Sequence, residues 1–203
     1  MTNFMRSDHL VTCLNSVKAC PKVAVACYGV NSAQEDLIRT VRPDASVIWQ
    51  ERDDGVNRLW LDALKLATTE WVVLLHDDDG LAESFDSVLA PLQLPASCSF
   101  VAWRGDVYRK NQGQWGEKLV SIASFGKIPY GETITVLYKN SCLSVGSHLA
   151  ISPANMLLRR DVAIAALEWC ESHLNDCCTR PTMMIGNDVA LLLAHLNLGH
   201  TFL

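Results

Sequence analysis

The sequence predicts an α/β domain with a mostly parallel central sheet, on three observations. Short apolar runs alternate with segments of helical period, the strand-like runs are continuously apolar, and three consecutive carboxylates follow the third run. Unbroken apolarity is what a strand shows when helices cover both faces of a parallel sheet, and ligands of such sheets bind outside the carboxyl ends of the strands. The 203 residues, 49% hydrophobic and 19% charged, suit one domain over 1–203 with a sizeable core.

The elements follow in order. Residues 1–21 read as an N-terminal helical extension whose Leu10, Val11, Leu14 and Val17 share a face. Val23 to Val30 (VAVACYGV) is a buried strand, and Ser32 to Val41 a helix stopped by Pro43. Ser46 to Gln50 (SVIWQ) is a second strand; after the turn ERDDG, Val56, Leu59, Trp60, Ala63, Leu64 and Ala67 recur at helical spacing. Trp71 to Leu75 (WVVLL) is a third buried strand. Beyond it the pattern predicts a helix near Leu81 to Leu89, a strand near Ser99 to Trp103, a polar turn at Lys110 to Gly113 and a long surface loop from Gly116 to Gly131. A strand at Ile134 to Leu137 and helices at Asp161 to His173 and Asp188 to Leu198 complete the reading.

Composition excludes several partners. A formal charge of −5 with no Lys/Arg run disfavours nucleic acid. No apolar run approaches the roughly 18 residues of a transmembrane segment, and the N-terminus lacks the unbroken apolar stretch of a secretory signal, so the expectation is a cytoplasmic chain. Eight cysteines without a CxxC pair then read as free thiols. Cys170, His173, Cys177 and Cys178 have the density of a zinc site but straddle one helix end instead of forming two separated pairs, so packed thiols are the preferred reading.

The chemistry concentrates at LLHDDDG, residues 74–80. Adjacent carboxylates repel one another, and a divalent cation holds them together. Oxygen ligands suit Mg²⁺ or Mn²⁺, which keep waters and recruit diphosphate oxygens, so Asp77, Asp78 and Asp79 point to a nucleotide diphosphate as ligand. The competing reading is a solvated acidic turn in which Asp79 caps the next helix.

Residues 55–79, GVNRLWLDALKLATTEWVVLLHDDD, resemble the segment of family 2 inverting glycosyltransferases, of the GT-A fold, in which a glycine turn and a helix precede a strand and the acidic motif. VAVACYGVN at 23–31 resembles the family's first strand, SPANMLLRRD at 152–161 its acceptor-side segment, and GNDVALLLAHLNLG at 186–199 its acidic pair, apolar helix and glycine. The resemblance implies a GT-A three-layer sandwich and a metal-dependent transfer of a sugar from a nucleotide-diphosphate sugar to a hydroxyl of a glycan, lipid-linked or small-molecule acceptor.

By the same resemblance Asp188 is the catalytic base, Asp77 to Asp79 hold the metal, and Ala26, Cys27, Tyr28, Asp54, Arg58 and Asp77 meet the donor. This chain departs from the pattern at four places. His76 stands where many members carry the first Asp of the motif, Asn187-Asp188 stands for the family's Glu-Asp pair and leaves Asp188 as the matching base, Trp60-Leu61 replaces an Arg-Asn pair for which Arg58 is the substitute, and Asp53 or Asp54 replaces the base-contacting Asp. The alternatives are a phosphotransferase using Asp77 as nucleophile and a non-catalytic nucleotide-sugar-binding module.

Overall fold

The computed structural model describes residues 7–29, 31–52, 54–89, 93–96, 98–103, 105–111, 114–122, 154, 156–173, 191, 194 and 201–202. Within them run α1 (Ser7–Ser16), β1 (Ala24–Tyr28), α2 (Ser32–Val41), β2 (Ser46–Gln50), α3 (Val56–Leu66) and β3 (Trp71–Val73). Then follow α4 (Phe85–Leu89), β4 (Cys98–Ala102), β5 (Gly105–Asn111), β6 (Gln114–Ile122), β7 (Met156–Arg159), α5 (Arg160–His173) and β8 (Thr201–Phe202). The result is a mixed α/β fold with short strands in small sheets.

The first half behaves as its pattern predicts. β1 and β2 pair in parallel, from Ala24↔Ser46 to Tyr28↔Gln50, joined by α2. Asn31 starts α2 by accepting from the N–H groups of Ala33 and Gln34. Alternation along β1 sends Val25 and Cys27 to one face, against Leu10, Cys13 and Leu14 of α1 and Ile38 of α2, and Ala26 to the other, against Leu59 and Ala63 of α3. Helices therefore cover both faces of this pair. Within the N-terminal helical segment, Leu10, Cys13, Leu14 and Val17 are buried. Arg42 locks the arrangement, donating to the carbonyls of Val17 and Cys20 and to the Asp44 carboxylate.

The second sheet corrects the expectation of a mostly parallel one. Its order is β3-β7-β4-β8, with β7 antiparallel to both β3 and β4, and β4 parallel to β8. An unbroken apolar run reports burial on two faces and says nothing of a neighbour's direction, which is why WVVLL could not reveal its antiparallel partner. The β3 ladder also ends at Val73↔Leu157, two residues before the predicted Leu75. Val72, Leu158 and Phe100 share one face with Trp60, Leu64 and Leu167, while Val73, Leu157 and Val101 share the other. α3 and α5 cover the first face, tied at their surface by Lys65 and Glu168 at 2.9 Å.

The predicted loop from Gly116 is overturned as far as residue 122: Gln114–Ile122 is a strand, paired antiparallel with β5. Polar residues on both sides of this hairpin removed the alternation that marks a half-buried strand. Residues 123–150, including the predicted strand at 134–137, lie outside the described residues. Leu191 and Ala194 are helical and fully buried in the main core; the rest of 188–198 is outside them. Among the described residues no helix is long and apolar enough to cross a membrane.

Candidate functional site

Chain direction brings the carboxyl ends of β1, β2 and β3 to one side. α3 leaves from the end of β2 and delivers the chain back beside the start of β1, where the Lys22 ammonium donates to the Thr68 hydroxyl at 2.9 Å. Past β3, Leu75 packs in the cluster that holds Cys27 and Trp49, and the Asp77 charge acts on Cys27, so the acidic turn emerges at the same end as Tyr28 and Gln50. Two glycines shape this end: Gly29 has φ of 69° and Gly55 has φ of 91°. Gly55 sits at the N-cap of α3, in a region closed to other residues without strain.

The turn is organised by Asp79. Its carboxylate accepts the His76 N–H at 3.1 Å, and its own N–H donates to the His76 carbonyl at 3.2 Å. The Cys13 thiol donates to that carbonyl at 3.3 Å, pinning the turn to α1. The His76 ring stacks on Trp60 with centroids 5.5 Å apart and planes 21° off parallel. Asp79 thus closes a local turn and does not cap α4, which begins six residues later at Phe85.

The three aspartates have different surroundings. Asp78 is exposed and Asp79 half-buried; with His76 each offers a ligand atom, all within 4.8 Å of one another. Asp77 is not in that group and is buried, at 8% exposure. It lies close enough to Cys27 that, after burial itself, its negative charge helps to push that thiol up to about 11. The set that converges is thus one imidazole and two carboxylates, where spacing had pointed to three carboxylates. Nothing in the spacing distinguishes Asp77; the inward turn of its side chain comes from the tertiary fold.

The predicted donor residues divide in the same way. Ala26 and Cys27 are fully buried with their side chains in opposite cores, leaving only their backbone to meet a ligand. Tyr28 is half-buried at the strand end. Asp54 is exposed and paired with Arg52 at 2.8 Å. Arg58 pairs with Asp62 at 3.4 Å, and Asp62 also accepts from the Gln50 amide at 2.7 Å, so Arg58, Asp62 and Gln50 form one polar group at the end of β2. Gln50, Asp62 and the ring of His76 were missed by motif reading, although Asp62 falls four residues after Arg58, the spacing at which helical charges pair. Asp53 and Asp188 lie outside the described residues, as do Cys177 and Cys178 of the cysteine cluster; Cys170 is buried in the main core.

A cavity of about 1130 Å³ among the described residues does not contain the acidic turn. It runs along β3 from Trp71 to Leu75 toward Val23, Ser46, Phe85 and Leu157. The ligand atoms at the strand ends, and not this cavity, therefore mark the candidate site. No protein-family model matches the chain, and no curated protein matches it significantly.

Proposed function

We propose that this chain is a metal-dependent inverting glycosyltransferase of GT-A type, moving a sugar from a nucleotide-diphosphate sugar to an acceptor hydroxyl. The observation that carries the reading is the convergence of His76, Asp78 and Asp79 at the carboxyl end of β3, beside the ends of a parallel β1–β2 pair. This is where an open α/β sheet receives a phosphorylated ligand. Helices on both faces of β1–β2 support the layered architecture that the family reading implies.

His76, Asp78 and Asp79 suit a divalent ion such as Mn²⁺ or Mg²⁺, which when bound neutralises charge on the departing diphosphate. The protein's own groups have separable tasks. Arg58, half-exposed beside Asp62, reaches toward the donor's anionic groups, and Tyr28 offers a flat face to its base. Asp188 takes the acceptor proton as the hydroxyl oxygen forms a bond to the anomeric carbon; the bond from that carbon to the diphosphate oxygen breaks, and its electron pair leaves with the nucleotide. Attack from the face opposite the leaving group inverts the anomeric centre. Asp77, at 8% exposure, is poorly placed to be a phosphotransferase nucleophile.

The test is release of nucleoside diphosphate from a panel of nucleotide sugars with Mn²⁺. One donor in the panel is expected to turn over, with Asp78→Ala and Asp188→Ala each lowering release by at least 100-fold, the scale of a lost acid–base or electrostatic group. Donor binding without turnover in the presence of glycan, lipid-linked and small acceptors would instead support the binding-module reading. No response to any donor refutes both.

A further inference from the structure

We propose that the ion bound at the end of β3 takes a nitrogen ligand, Nδ1 of His76, so that the site prefers nitrogen-accepting transition ions over Mg²⁺. The inference rests on reading this turn as the metal site of the proposed transferase, and it does not depend on the transfer reaction.

The separations fit one ion. Ligand atoms about 2.0–2.2 Å from a shared cation lie at most roughly 4.4 Å apart. The His76, Asp78 and Asp79 ligand atoms fall within 4.8 Å, so closing on an ion requires only about half an ångström of side-chain movement. His76 Nδ1 is 4.0 Å from Asp79 Oδ2. That is too long for a hydrogen bond and within the span of two ligands bridged by a cation.

The ring is held for this role from three directions. Its stacking partner Trp60 is 2% exposed in α3, so the ring plane is set by the core and not by solvent. Its backbone N–H is tied to the Asp79 carboxylate, which fixes imidazole and carboxylate on the same turn. Nδ1 is the nitrogen turned toward the Asp79 carboxylate, and Nε2 is buried with no hydrogen-bond partner among the described residues. Among the described residues this imidazole is oriented by stacking, where most metal-ligating histidines are oriented by a carboxylate or carbonyl.

The ligand chemistry decides the preference. Mg²⁺ demands oxygen ligands in near-ideal octahedral geometry and sheds water reluctantly, whereas Mn²⁺, Fe²⁺, Co²⁺ and Zn²⁺ accept imidazole. A nitrogen at one of three protein positions leaves Mg²⁺ two carboxylates and costs it relative affinity.

Electron spin-echo spectroscopy of Mn²⁺ added to the full chain, with Mg²⁺ as competitor and no nucleotide present, tests this directly. Expected are ¹⁴N coupling to the bound Mn²⁺, and Mn²⁺ affinity about tenfold or more above Mg²⁺. In His76→Asp the ¹⁴N coupling disappears while Mn²⁺ still binds, and the Mn²⁺ preference falls several-fold; His76→Gln loses the coupling and weakens Mn²⁺ about 10–100-fold. Absence of ¹⁴N coupling in the unaltered protein, its persistence in His76→Asp, or no ion binding at all overturns the proposal. Nitrogen-coupled Mn²⁺ without donor turnover would sink the transferase and leave this inference standing. Turnover with no ¹⁴N coupling would do the reverse.

Discussion

Single residues show where polar groups pin the fold. Arg42 is 6% exposed, and its guanidinium bridges two carbonyls at the end of α1 to Asp44. Arg42→Met keeps the buried stem but strands both acceptors, and urea denaturation is expected to show a loss of about 3 kcal/mol. The same pair gives a pH signature. The hydrogen bond from Arg42 holds the Asp44 carboxyl below its ordinary value of 3.8. The unfolded chain therefore takes up this proton first, so the stabilisation is present above about pH 4 and disappears as pH falls through the depressed value. Asp44→Asn should flatten the acid limb of the stability profile relative to the unaltered protein, read by thermal melting from pH 6 to pH 2.5. Cys27 acts at the other end: burial, reinforced by Asp77, raises its thiol to about 11 from 9.0. In that window the unfolded chain ionises while the folded one does not, so stability declines as pH climbs through it, and Cys27→Ala should lessen the decline.

At the scale of elements, α3 connects fold to site. Its first turn carries Arg58, its inner face carries Trp60 beneath the His76 ring, and its start depends on Gly55 at φ of 91°. Gly55→Ala meets no steric neighbour but forces a side chain into a glycine-only backbone region, with an expected cost of about 1–3 kcal/mol by urea denaturation. Elements set by local pattern were legible in the sequence. Leu59, Trp60, Ala63 and Leu64 mark the buried stripe of α3, and the SVIWQ run coincides with β2. Pairing was not legible, because the partner of β3 lies 83 positions downstream of Val73 at its first residue, Met156, and apolar character carries no direction. In the site, the aspartates were visible as a run. The difference between inward Asp77 and outward Asp78 was not, because a turn closed by Asp79 sets it.

Across the whole molecule, stability is concentrated around one inserted strand. Leu158 of β7 pairs with Val72 on one side and Phe100 on the other and is 1% exposed in the main core. Leu158→Ala should cost about 3–4 kcal/mol in denaturant unfolding. Leu119, 50% exposed on the β5–β6 hairpin, should tolerate Ser within about 0.5 kcal/mol. The central position of β7 also has a consequence for biosynthesis. On the ribosome, α1, β1, α2, β2 and α3 emerge first and hold a mutual apolar core of their own. β3 and β4 must then wait, with their facing edges unpaired, until synthesis passes Arg159. At roughly 5–20 residues per second that interval lasts several seconds. During it two apolar strand edges stand open to other nascent chains. Both facing edges are thus closed at once by the arrival of a four-residue strand, Met156–Arg159.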